Sequence, residues 1–209
     1  AGGLDFIDYA SGRREQLDVA MRRTLLTGVT QTTGNMQMAR ADEMGVDLVQ
    51  TSAHIGARNE GAGPENHQSW QGRIFSRSGR STRYPPFMQT TGYGTGAGLG
   101  GWNCRHSFYP FFEGISENAY NKATLADYAK KEVTYNGETM SVYAATQEQR
   151  KIERDIRYWK RQSEAMKAVG KPYTNETAMV RASQAEMRDF IGQMNGQSQF
   201  TWYRQPERE

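Results

Sequence analysis

Leu17, Met21, Leu25, Gly28, Thr32 and Met36 recur at intervals of three or four among polar residues, which is one stripe of a long amphipathic helix. An apolar and aromatic lead-in (Leu4, Phe6, Ile7, Tyr9) precedes it, and Ser11-Gly12 reads as its start signal. Gly28 and Gly34 each cost about 1 kcal/mol against alanine in a helix interior, so a kink or break is expected near Thr32-Thr33-Gly34. Gly45 then ends the helix.

The period changes to two after Gly45. Val46 to Ser52 alternates like a short strand that delivers His54, and Gly72 to Ser76 looks like a second. Gly56 to Gln71 and Ser78 to Pro86 read as surface loops with no place in a core. Cys104 to Phe112 is an aromatic-rich strand that Pro110 confines to an edge. A short helix over Thr124 to Lys131 follows, then two strands joined by Asn136-Gly137, a pair that favours a tight hairpin and completes the central core.

From Ala144 the helical period returns. Ile152, Ile156, Trp159, Met166 and Val169 trace one helix, Gly170-Lys171-Pro172 stops it, and Val180, Met187, Phe190, Ile191 and Met194 trace another. Two helices with so short a connection predict an antiparallel hairpin, followed by a polar tail. The pattern therefore predicts an α+β chain in three segments: an N-terminal helix (1–45), a small mixed core (46–143) and a C-terminal helical hairpin with its tail (144–209).

Composition shifts this picture towards an assembly component. Only 36% of the 209 residues are hydrophobic and the mean hydropathy is -0.83, so much of the surface is expected to be completed by neighbours. The net charge of +3 comes from basic residues interleaved with acids, the pattern of a solvated helix face, and leaves room only for non-specific contact with DNA. One cysteine excludes an internal disulfide framework, and no apolar run is long enough for a membrane span. The beginning Ala1-Gly2-Gly3, without an initiator methionine, suggests a segment processed from a longer chain.

Candidate chemistry is confined to the stretch from His54 to His106, which holds all three histidines and Cys104. Zinc takes four ligands of this kind, and His54, His67, Cys104 and His106 supply that number as a structural site. Two other readings stay open. Each histidine is simply hydrogen-bonded in a polar loop with Cys104 a small buried hydrophobe, or Cys104 is a nucleophile activated by one histidine. The glycines from Gly92 to Gly101 alternate and lack a Lys-Ser or Lys-Thr ending, so tight backbone approach is a better reading than phosphate binding. Glu207-Arg-Glu209 has the spacing of an ADP-ribosyltransferase pair, but it stands in the tail, a poor site.

Several runs together resemble a known family. They are Arg13-Arg14 to Gly34, Met44-Gly-Val-Asp-Leu-Val-Gln-Thr-Ser-Ala-His54 with Gly56-Ala-Arg58, Trp70-Gln-Gly72, Thr91-Gly-Tyr-Gly-Thr-Gly96 and Gly101-Trp-Asn-Cys-Arg-His-Ser-Phe-Tyr-Pro-Phe111. The likeness continues through Gln149-Arg150, Glu153-Arg154 and Ile156-Arg157 to Arg204 and Arg208-Glu209. Over nearly the whole chain they resemble the tailed-phage minor capsid protein 2 family, which is similar to the Mu F type head-morphogenesis domain. Cys104-Arg105-His106 corresponds to that domain's Cys/His-bearing ending. The resemblance implies a non-enzymatic virion component, present in few copies near the portal, assembled in the host bacterial cytoplasm and assisting head assembly or DNA packaging. Its partners would be the portal and other head proteins. The alternative class is a phage-delivered enzyme using Cys104 and a histidine. Two departures from the family are a shorter upstream region and a longer loop from Asn59 to Asn66.

Overall fold

The structure, a computed structural model, describes residues 6–197 and 201–203. The first residues of the lead-in and the tail positions Arg204, Glu207, Arg208 and Glu209 lie outside them. The chain forms two compact units, Ala1–Ala126 and Asp127–Glu209, each α+β.

The first unit opens with a hairpin, not with the helix start expected at Ser11-Gly12. Strand β1 (Phe6–Asp8) pairs antiparallel with β2 (Arg14–Gln16), and Gly12 at φ +79° makes the turn between them. Glu15, buried by the hairpin, is held by Arg13, Arg23 and the Tyr9 hydroxyl. Helix α1 (Leu17–Glu43) then runs unbroken through Gly28 and Gly34, contrary to the break expected there. It closes as predicted at Gly45: the Gly45 and Val46 N–H groups donate to Asp42 O and Ala41 O, with Gly45 left-handed at φ +62°.

The apolar stripe of α1 faces away from the unit. Met21, Leu25, Val29 and Met36 are exposed, three of them by about two thirds (Leu25 67%, Val29 65%, Met36 68%). The face turned inward is a row of small residues seven apart, Ala20, Thr27, Gly34 and Ala41. Close approach explains the choice. A Cβ on Gly34 would overlap the Tyr93 ring, whose hydroxyl donates to Asn35 Oδ1, so only a small face lets the helix lie this near the sheet.

Behind α1 lies a three-stranded antiparallel sheet in the order β4 (Ile74–Ser76), β3 (Leu48–Thr51), β5 (Phe108–Pro110), with Pro110 on an edge strand as predicted. Its core is Val49, Trp70, Phe75, Phe87, Leu99 and Phe108, with Met38, Tyr93 and Cys104 packed against it. Gln50 is fully buried in β3 yet satisfied, its amide donating to Gly72 O and Asn118 Oδ1 and its oxygen accepting from Tyr109 and the Ala119 N–H. The loop from Gly56 to Gln71, expected at the surface, carries a 3-10 turn (Gly63–Glu65) and α2 (His67–Trp70) and buries Ala57, His67, Trp70 and Gln71. An apolar anchor, Trp70, overrides the polar composition around it.

The glycine-dense segment follows α3 (Phe87–Thr91), which ends at left-handed Gly92. Its glycines are required by contact: a Cβ on Gly98 would overlap the Gly92 carbonyl, and one on Gly101 the Gly96 carbonyl. The fold of this loop on itself seats Leu99 in the core and presents the Ala97 carbonyl inward.

Helix α4 (Lys122–Lys130) carries the chain into the second unit, where β6 (Glu132–Tyr135) and β7 (Glu138–Ser141) meet through Asn136 (φ 49°) and Gly137 (φ 84°). Both turn residues are left-handed, the two-residue turn that Asn-Gly predicts. This hairpin, expected to complete the central core, packs instead with the C-terminal helices. The N–H groups of Thr134 and Asn136 donate to Gln197 and Gln193, and Tyr135 meets the Phe190 ring at 5.0 Å. Helices α5 (Val142–Ala168), capped by Ser141 Oγ, and α6 (Thr174–Gln197) pack on each other through Ile152, Ile156, Met187, Phe190 and Met194. Trp202, placed by the sequence in a polar tail, is buried against Phe190 and clamped by Asn195.

Gly98→Ala is expected to destabilise the chain by about 2–3 kcal/mol through overpacking against backbone that cannot yield. Urea unfolding checks this, and a midpoint equal to wild type contradicts the close approach.

Candidate metal centre

The three histidines cluster beside Trp70, which touches His67 and His106, and the sheet sets His54 and His106 opposite one another. The pairing of β3 with β5 continues past Thr51↔Phe108, with the Ser52 N–H donating to Ser107 O and the Ser107 N–H to Ser52 Oγ. His54 and His106 stand just beyond that pair, and their rings stack at 4.3 Å and 28°. Helix α2, capped by Asn66 Oδ1, brings His67 edge-on to His106 at 5.4 Å, and Trp70 lies 4.8–4.9 Å from both. Cys104 Sγ is 3.7 Å from His106 Nδ1, and the donor atoms of His67, Cys104 and His106 all fall within 4.8 Å of one another. Cys104 and His106 reach this site from the irregular segment before β5, which is shorter than the strand expected from Cys104 to Phe112.

Hydrogen bonds decide which nitrogen of each ring holds the proton. His67 Nε2 lies 2.9 Å from Ala97 O and His54 Nδ1 3.0 Å from Ile55 O, and a carbonyl only accepts. Gln71 Oε1 accepts the His54 backbone N–H at 3.0 Å, so it is the oxygen, and His106 Nε2 at 3.1 Å donates to it as well. The three lone pairs are therefore His54 Nε2, His67 Nδ1 and His106 Nδ1. His54 Nε2 is buried without a hydrogen-bond partner.

The cluster is uncharged. Burial lowers the pKa of all three imidazoles, and His106, which also faces His54, His67 and Arg58, falls to about 2. Burial raises the Cys104 thiol above its ordinary value, although backbone N–H groups and Arg58 oppose this. A cysteine poised for nucleophilic attack needs the reverse shift. Cys104 and His106 nevertheless border a cleft of about 410 Å³ beside Gly34 and Tyr93.

Of the four predicted residues, His67, Cys104 and His106 bring their ligand atoms together, while His54 stacks on His106 outside that group. What the sequence reading missed is what aims them: the Gln71 oxygen, the Ala97 carbonyl at the heart of the glycine loop, and the Trp70 floor. Gln71 had one signal, its place between Trp70 and Gly72 (φ +68°), a turn that a Cβ would press into Leu125.

Comparison with known proteins names the class of the chain. The family model "Phage minor capsid protein 2" matches residues 1–192, and the chain belongs to this family. It is similar to a structural protein of Lactococcus phage LL-H, 27% identical over 190 residues, 87% of this chain and 46% of that protein. A structural protein of Lactococcus phage mv4 is 31% identical over 110 residues, 52% of this chain and 80% of that protein. The chain thus spans about half the length of the first relative. No solved structure matches. No helix among the described residues is long and apolar enough to cross a membrane.

Because folding depresses the three imidazole pKa values from 6.5, the unfolded chain binds more protons than the folded one below that pH. Stability is fully present above about pH 6.5 and is lost as the pH falls towards the folded values. Thermal melts from pH 7.5 to 5 are expected to show a steadily falling midpoint in wild type, and a midpoint insensitive to pH contradicts the neutral cluster.

Proposed function

We propose that this minor capsid family member acts beside the portal of the phage head, where it joins portal and neighbouring head proteins and assists head assembly and DNA packaging. The observation that carries the reading is the outward stripe of α1. A 27-residue helix anchored on its small face leaves Met21, Leu25, Val29 and Met36 in water. Such a row on a polar chain is a surface that a neighbour completes. The slight positive charge suits a place near packaged DNA, as a non-specific contribution that weakens with salt. On this reading the chain is a virion component put together in the bacterial cytoplasm and has no enzymatic role.

A second reading rests on the cleft beside Cys104, where a thiol enzyme would bind its substrate. The raised thiol pKa weighs against it. At neutral pH the folded chain is expected to react with a thiol probe more slowly than free cysteine, and faster reaction would revive it.

The double variant Leu25→Glu, Val29→Glu is expected to keep the wild-type melting midpoint, since both side chains are in water, yet to be missing from purified heads. Incorporation at the wild-type level contradicts the contact surface. A photo-crosslinking residue at Met36 is expected to capture the portal protein, and capture of tail proteins alone overturns the position beside it.

A further inference from the structure

We propose that His54 Nε2, His67 Nδ1, Cys104 Sγ and His106 Nδ1 form a four-coordinate zinc site that pins α2, the glycine loop and the β3–β5 sheet together. The assignment rests on the orientation of these groups and stands whether or not the chain sits beside the portal.

Three observations carry it. First, every imidazole has one N–H tied outward, His67 to Ala97 O, His54 to Ile55 O and His106 to Gln71 Oε1, which fixes the tautomer and leaves the other nitrogen with its lone pair, that of His106 lying 3.7 Å from Cys104 Sγ. Metal-ligating histidines are held in this way by their surroundings. Second, His54 Nε2 is a buried lone pair with no donor to satisfy it, an arrangement that costs free energy in a protein interior unless something binds there. Third, His67, Cys104 and His106 already place their donor atoms within 4.8 Å of one another. Bonds of about 2.0–2.3 Å to zinc set the edges of the tetrahedron at about 3.5 Å, so the donors draw in by about an ångström. The His54 ring turns out of its stack on His106 to bring the orphaned nitrogen to the fourth corner.

Three imidazole nitrogens and one sulfur suit zinc, a borderline-soft ion that tolerates a mixed tetrahedral set. On binding, the Cys104 S–H bond breaks, its electron pair forms the zinc–sulfur bond and the proton leaves to solvent. The imidazoles bind through lone pairs and lose no proton. Four protein donors leave no open position for a reacting water, so the site is structural.

The test uses the whole chain, stripped with a chelator and titrated with cobalt(II), then with zinc. Cobalt is expected to bind one per chain with intense tetrahedral absorption and a thiolate charge-transfer band, and zinc to displace it. Zinc at a hundredfold excess over its dissociation constant is expected to raise the melting midpoint by about 5–10 °C. Cys104→Ser is expected to lose the charge-transfer band, and His54→Ala to weaken cobalt affinity about tenfold or more. Weak octahedral absorption in wild type overturns the site, and because that result needs no variant, misfolding cannot obscure it. Tetrahedral cobalt absorption without a thiolate charge-transfer band in wild type removes Cys104 from the set, and unchanged affinity in His54→Ala removes His54.

Discussion

Three imidazoles and a thiol can share a buried pocket only as neutral groups whose N–H bonds all have somewhere to go. That constraint organises the first unit. Gln71 takes two of the donors on one oxygen, the backbone of His54 and the ring of His106, and so ties the end of β3 to the approach to β5. Ala97 takes a third from His67, and its carbonyl also accepts from Arg58. Trp70, anchored by its indole N–H to Pro64 O, supplies the apolar wall against which His67 and His106 stand. Withdrawing one acceptor leaves a buried donor unmade, a loss of about 1–3 kcal/mol.

The glycine loop and the small face of α1 serve the same arrangement. Backbone folded this tightly on itself carries the Ala97 carbonyl to His67, while Tyr93 fills the space that Gly34 leaves on the helix. Because the helix approaches through small residues, most of its larger apolar side chains, Met38 excepted, face outward. One geometric demand thus produces both a braced interior and an exposed stripe, which suits a structural protein of a phage head.

Features encoded locally were legible in the sequence. Asn136-Gly137 specified its own turn, Gly45 its helix end, and the spacing from Ile152 to Met194 the two long C-terminal helices. The four residues of the proposed site were singled out by chemical type alone. Features decided by tertiary contact were not legible: periodicity reported an apolar face on α1 but not that a row of alanine, threonine and glycine would be the one buried. Composition marked the Gly56–Gln71 segment as surface, whereas a single tryptophan drew it inward, and Trp202 did the same for the last described residues. The hairpin at Asn136 was correctly formed and wrongly placed, because its partners, Gln193, Gln197 and Phe190, lie more than fifty residues further along the chain.

The orientation of the three imidazoles is the claim on which most else rests, and it is open to direct measurement. Long-range proton–nitrogen correlation spectra of the metal-stripped chain at pH 7 report the tautomer and charge of each histidine. Neutral rings protonated at Nε2 in His67 and His106 and at Nδ1 in His54 are the expected result. A cationic ring, or the opposite tautomer at any of the three, would contradict the arrangement.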